Sequence, residues 1–321
     1  MRVLCPLAFG SALWFHGFLM GCKPPTPLPP KAIELNELGA LAFSLGDLET
    51  AEVRFALAIE YHPRFTEAWV NLGLLELRRG NLALAKKELE RARDLNRDLP
   101  APHHALGLLA DRAGQPGVAA SHYRAALKVD PGFAPARANL GRLEFRLAKF
   151  DDAREQFERL TEVAPDSIEG WVGLTECLLR LGREDDADRA LAAGRARLGD
   201  GPELALLIAR QLLRRGAFEA AEEVLAPLTG HADPRRQAAA WSWIAVARLG
   251  ESRLDDAVHA ASEALLANQE EALPNHVMSL VLEARGLPEL ADHWASRARL
   301  LSRLRGDDTL RAAPGASPAT D

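Results

Sequence analysis

Aromatic residues make up only 6% of this 321-residue chain, with two tyrosines in all, and β-branched runs are few. A sheet is hard to build from such a composition, because strands draw on β-branched and aromatic side chains. Cysteine is scarcer still, at three residues. Cys5 and Cys22 belong to an N-terminal apolar segment and Cys177 stands alone in the body. No structural disulfide is expected in a chain cut ahead of Cys22, and Cys177 reads as a small buried apolar residue. A large charge of one sign is missing too. The net charge is −6, with lysine and arginine interspersed among acids, so nothing points to a polyanion binder and no nucleic-acid partner is expected.

Catalytic signatures are also absent. There is no HExxH, paired CxxC, glycine-rich phosphate loop or nucleophile elbow, so the chain is not expected to be an enzyme or to need a cofactor or metal. His103 and His104 are adjacent, and neighbouring helical residues point about 100° apart, which suits a surface pair and not joint metal ligation. The Asp-Asp pairs beginning at 151, 185 and 255 read as acids capping the positive ends of helices.

What the chain does have is alanine, leucine, glutamate and arginine over residues 32–305, which favour helix throughout. It also has a period. Leu38-Gly39, Leu72-Gly73, Leu106-Gly107 and Leu140-Gly141 recur every 34 residues, as do Ala51, Ala85, Ala119, Ala153, Ala187 and Ala221. Gly46, Gly80, Gly114, Gly182, Gly216 and Gly286 fall where a first helix must stop and reverse, in a left-handed backbone that glycine adopts without a Cβ clash. Trp69, Trp171 and Trp241 hold an early large position; Phe55, Tyr123 and Phe157 hold an aromatic position in the second helix; Pro63, Pro131 and Pro165 close repeats.

This pattern resembles the tetratricopeptide repeat, a pair of antiparallel helices. The resemblance covers residues 32–305, with repeats beginning at 32, 66, 100, 134, 168, 202, 238 and 272 and two extra residues before the seventh. It implies an all-α protein, an α-solenoid superhelix of about eight helix-turn-helix units, whose stacked neighbours supply a core that no single pair can bury. The aromatic of the family's first helix is mostly replaced here by Ala, Glu or Leu.

The first 22 residues, MRVLCPLAFGSALWFHGFLMGC, place one positive charge ahead of an apolar run and a small residue before cysteine, the layout of a secretory signal. Leu19-Met20-Gly21-Cys22 resembles a bacterial lipobox, which implies a signal peptide over 1–21, lipidation (palmitate-type acyl chains) at Cys22 and a membrane anchor; several acyl chains hold stably where one is marginal. Residues 22–31 form a proline-rich linker, with five prolines in PPTPLPP, which favours an extended rod rising about 3.1 Å per residue. By resemblance to Gram-negative lipoproteins, the missing aspartate after Cys22 implies the outer membrane, facing the periplasm. The tail over 306–321 has no apolar period and reads as disordered.

Arg78, Arg112, Arg146, Arg180 and Arg214 are each 34 residues apart, late in the first helix, and Arg142 and Arg210 lie one turn earlier on the same side. In the resembled family this face lines the concave groove, which implies a partner-binding ladder for a protein with an acidic segment, since the guanidinium fork grips carboxylates with two bonds; the competing reading is that a basic residue is common at this place because it is solvated. Asn36 and Ala40 stand where the family's chaperone-tail clamp has lysine and asparagine, which disfavours a cytosolic co-chaperone. The resemblance implies a scaffold that recruits or assembles an envelope machine, similar in layout to pilotin-type lipoproteins of type IV pilus secretins or to lipoproteins of gliding motility complexes. The alternative is a binding module for acidic envelope polysaccharide or its synthesis and export complex.

Overall fold

The computed structural model describes residues 27–199 and 201–305, so the leader over 1–21, Cys22 and the tail over 306–321 lie outside the described residues. Packing divides the chain into two compact units that meet at Arg97 and Asp98, the turn between the second and third repeats, within what the sequence presents as one array over 32–305. The first unit holds α1 (Pro30–Leu45), α2 (Leu48–Tyr61), α3 (Thr66–Arg79) and α4 (Leu82–Leu95). The second holds α5 (Pro100–Arg112), α6 (Pro116–Val129), α7 (Ala134–Arg146), α8 (Phe150–Val163), α9 (Ile168–Arg180) and α10 (Glu184–Leu198). It continues with α11 (Pro202–Arg214), α12 (Phe218–Leu225), α13 (Pro234–Gly250), α14 (Leu254–Ala267), α15 (Ala272–Ala284) and α16 (Pro288–Arg305). No strand occurs among the described residues.

Six first helices begin on the residues that the period assigns: Thr66, Pro100, Ala134, Ile168, Pro202 and Ala272. The seventh begins early, at Pro234. The reason is local: Pro227 ends α12 in a 3-10 turn over Ala226–Leu228, and Asp233 caps α13 by accepting from the Arg235 amide at 3.0 Å. Each unit layers its helices alike. A second helix packs on its own first helix and on the next one, as α6 does on α5 and α7, while successive first helices also touch.

Volume complementarity at one position holds each pair together. A Cβ added at Gly39 would lie 2.6 Å from Phe55, at Gly73 2.6 Å from Leu89, at Gly107 2.4 Å from Tyr123 and at Gly141 3.0 Å from Phe157. Each glycine is a seat for the side chain sixteen residues on. Elsewhere an alanine takes the glycine's place: Ala209 goes with Leu225 and Ala245 with Ala261, all fully buried. The alanines at the 34-residue period, Ala51 through Ala221, are likewise fully buried.

The helix reversals follow the glycines, with φ of +70° to +85° at Gly46, Gly80, Gly114, Gly182, Gly216 and Gly286. Repeats four and seven lack that glycine, and Ala148 (φ 56°) and Ser252 (φ 61°) adopt the same left-handed backbone there, where a Cβ costs roughly 1–2 kcal/mol.

The place of the family's first-helix aromatic is charged in three repeats. Glu76 and Glu144 are 2% exposed. Glu76 accepts from Arg79 at 3.0 Å and Asn81 at 2.6 Å, and Glu144 from Arg124 at 2.6 Å. In repeat seven the sign is reversed, with Arg248 paired to Glu222 at 3.1 Å. A buried charge requires such a partner.

Candidate partner-binding face

In the first unit, Arg78 is exposed at the last turn of α3. Its guanidinium donates to the Phe43 carbonyl at 2.7 Å and lies 5.0 Å from the centre of the Phe43 ring. The offset is 35 residues, one more than the repeat, so the arginine reaches back to the preceding first helix of its unit. Asn71 does the same one turn earlier, donating to Asn36 at 2.9 Å.

The same offset recurs in the second unit. Arg146 pairs with Asp111, and the Arg180 guanidinium sits 5.6 Å from the Phe145 ring and 5.7 Å from that of Phe150, a cation–π arrangement. Thirty-five residues before Arg214 the chain has Leu179, which offers neither charge nor ring. Arg112 and Arg214 are exposed and carry no hydrogen bond or ion pair among the described residues.

One turn earlier, Arg142 pairs with Glu169 at 2.9 Å and also donates to Asn139, while Arg210 pairs with Glu176 at 2.6 Å and lies 5.6 Å from the Trp243 ring. The ladder residues are therefore of three kinds: two unpaired, three held by carboxylates, two laid on aromatic rings. Sequence reasoning missed the acids Asp111, Glu169 and Glu176 that share this face. Their signal is present in the sequence, since each stands 27 to 35 residues from its arginine.

Beneath Arg142 the floor of the face is polar. His104 and Asn139 share a 2.6 Å hydrogen bond, and the His104 ring packs edge-on against Phe133 and tilted over Tyr123. Burial, with Arg142 nearby, pushes the His104 imidazole down to about 4, so it is neutral at physiological pH. The Tyr123 phenol is fully buried without a hydrogen-bond partner, and burial with Asp111 nearby raises its pKa.

The face changes character at α13. At the places of Arg142 and Arg146, repeat seven has Val246 and Gly250 and repeat eight Leu280 and Ala284. Trp243, Val246, Val277 and Val281 join the large apolar cluster that spans α11 to α15.

The histidines need a correction: they are half-buried and not a surface pair, with His103 tilted against His122 at 6.3 Å and His104 as described. They do diverge. The Asp pairs at 151, 185 and 255 lie in the first turns of α8, α10 and α14, but make no side-chain cap. In two of the pairs the basic cap residue binds the second acid, Arg183 to Asp186 at 2.6 Å and Arg253 to Asp256 at 2.9 Å. Cys177 is fully buried, and desolvation pushes its thiol up to about 12. Among the described residues no three His, Cys, Asp or Glu groups converge as metal ligands, and no helix is long and apolar enough to cross a membrane.

The tetratricopeptide-repeat profile matches residues 36–100 and 112–171. Cellulose synthase operon protein C of Xanthomonas axonopodis pv. citri is 28% identical over 308 residues, 81% of this chain and 18% of that protein. Type IV pilus assembly protein PilF of Pseudomonas aeruginosa is 29% identical over 102 residues, 32% of this chain and 39% of that protein. The chain spans well under half the length of the curated relatives it matches. A tetratricopeptide repeat protein from Parabacteroides merdae superposes with a TM-score of 0.56 at 18% identity, over 79% of this chain and all of the other, which establishes the shared fold.

Proposed function

We propose, from the premise that this is a chain of tetratricopeptide repeats, that it is a lipid-anchored scaffold which captures a protein partner through the first-helix face of repeats three to six. The observation that carries this reading is the pair of unpaired, exposed guanidiniums, Arg112 and Arg214, flanking arginines already satisfied by their own neighbours. A solvated arginine without an internal partner is free to meet a carboxylate of another chain, and its planar fork suits one. The partner is therefore a protein with an acidic segment.

The assembly served is one of the cell envelope, a type IV pilus secretin or a motility complex. Two features support this: the lipobox-like end at Cys22, and similarity to a protein named for type IV pilus assembly. The mature chain then begins at an acylated Cys22 and faces the periplasm from the outer membrane. Intact mass of membrane-extracted protein tests the anchor; an unmodified chain beginning at Met1 would sink it, and Cys22→Ala should release the protein from the membrane. Pulldown from detergent-solubilised membranes tests the scaffold.

A second reading has its own support in the similarity to a cellulose synthase operon protein: the same arginines would hold an acidic polysaccharide or its export complex. A pulldown signal lost on glycosidase treatment would favour that reading over the protein partner.

A further inference from the structure

Three carboxylates are buried among the described residues, Glu76, Glu88 and Glu144. Arginines hold the first and the last, whereas Glu88, 9% exposed on α4, makes no hydrogen bond or ion pair among the described residues. Its Oε2 is sealed from solvent. Burial raises the pKa of this carboxyl; Lys87 nearby offsets part of the rise and Glu76 adds to it. A buried carboxylate without a cation is costly, and the other two show how this fold ordinarily meets that cost.

Glu88 lines a cavity of about 540 Å³ in the first unit, together with the Trp69 ring and the exposed Lys86, Lys87 and Arg91. That volume falls in the range of small-molecule sites, roughly 300–1,000 Å³. Its other acids are Glu90 and Asp94, the latter held by Arg93 at 3.2 Å and Arg97 at 3.3 Å.

Other repeats show what fits beside Glu88. Trp69 and Glu88 stand nineteen residues apart, at places that meet elsewhere in the array: the rings of His103 and His122 lie 6.3 Å apart, and Arg137 donates to Gln156 at 3.3 Å. Two periods after Trp69, the Arg137 guanidinium takes the tryptophan's role, donating to the Pro131 carbonyl as the Trp69 indole donates to that of Pro63. Repeat four thus seats a guanidinium against the place of Glu88. Repeat two has the carboxylate and no guanidinium of its own there. Nineteen residues after Trp171 and Trp241 the chain has Ala190 and Ala260, so among these tryptophans Trp69 alone is matched with a carboxylate.

An indole face and a carboxylate both attract a cation, and the planar guanidinium suits the two together. Lys86, Lys87 and Arg91 make no ion pair among the described residues, and they repel a ligand that is only positive. We infer that this cavity binds an arginine-like zwitterion, its guanidinium on the Trp69 ring and at Glu88 and its carboxylate among Lys86, Lys87 and Arg91. Glu88 meets the ligand through Oε1, since Oε2 is sealed. The site lies in repeat two, apart from the arginines of repeats three to six. Free arginine and an arginine beside an acid in a peptide present the same two groups.

Calorimetric titration of the full chain in detergent with L-arginine, and with the capped dipeptide acetyl-arginyl-aspartate amide, tests it. Saturable binding is expected; a preference for the amino acid marks a free ligand and a preference for the dipeptide marks a peptide. Citrulline, which keeps arginine's shape without its charge, should bind about tenfold or more weakly, because a hydrogen bond to a charged group is lost. Agmatine, which lacks the carboxylate, should also bind more weakly than arginine. Glu88→Gln places at 88 the amide that repeat four holds at Gln156, so helicity by circular dichroism should not change while arginine binding weakens about tenfold or more. Absence of saturable binding by both probes would overturn the inference. So would citrulline or agmatine binding as tightly as arginine, or a Glu88→Gln variant with the parent's affinity.

Discussion

Repeats three to six and repeats seven and eight are made of the same helix pair, yet they present different chemistry on the same face. In the former, Arg112, Arg142, Arg146, Arg180, Arg210 and Arg214 stand along the first helices, with Asp111, Glu169 and Glu176 among them. In the latter those places hold Val246, Gly250, Leu280 and Ala284, and Val246 belongs to the apolar cluster that spans α11 to α15. The seat positions differ in parallel: Gly107 and Gly141 receive rings, whereas Ala245 faces Ala261. A repeat can thus keep its fold while the two residues that meet at this position change and its exposed positions vary. Packing and surface chemistry are carried by different residues of one period.

The comparison breaks most visibly at the seats. Gly107→Val would drive methyl groups into the Tyr123 ring, from which even a Cβ would be 2.4 Å away. Overpacking of this kind costs about 1–3 kcal/mol, read as a lower urea midpoint. Ala245→Ser should cost much less, because repeat eight already holds Ser279 at that place, with its hydroxyl donating to the His276 carbonyl at 3.0 Å. Equal losses at the two sites would contradict the volume argument.

A smaller effect separates the buried charges. Burial holds the Glu144 carboxyl above its ordinary range, with Arg124 pulling it back down. Folding therefore favours the protonated form, and ionised Glu144 is a burden that is absent at low pH and felt in full above its raised pKa. Glu144→Gln should gain stability relative to the parent as pH rises from about 4 to 7; a difference that does not change with pH would contradict this assignment.

The smallest effect lies at the two strained turns. Ala148→Gly and Ser252→Gly should each raise stability by about 0.5–1 kcal/mol, the relief of a left-handed Cβ less the extra flexibility of glycine in the unfolded chain. Unchanged melting curves would mean that the surrounding turn already absorbs the strain.

Much of the fold was legible in the sequence because the period is written in residues with one physical use. Glycine marks both the seats and the reversals, and six first helices begin where the 34-residue spacing puts them. Repeat seven was less legible: Pro227 and Asp233 shift its start by local turn chemistry that a fixed period does not register. The arginines of the face were legible as a set, but their states were not. Whether a guanidinium is held depends on residues 27 to 35 positions away in neighbouring helices, as Glu169 holds Arg142, Glu176 holds Arg210 and Asp111 holds Arg146. The acid pairs at 151, 185 and 255 sit in first turns as expected, and in two of them an arginine at the cap adds a contact that the pattern did not show, Arg183 to Asp186 and Arg253 to Asp256.

The central claim, that the unpaired arginines of repeats three to six capture an acidic partner, is tested most directly by Arg112→Glu combined with Arg214→Glu. Neither residue has a partner to lose among the described residues, and exposed charges contribute about 0–1 kcal/mol to stability, so helicity and melting should stay near those of the parent. Partner capture from solubilised membranes should fall sharply, and in the parent it should weaken as salt shortens the Debye length below about 8 Å. Capture at full strength by the double variant, or capture indifferent to salt, would contradict the account.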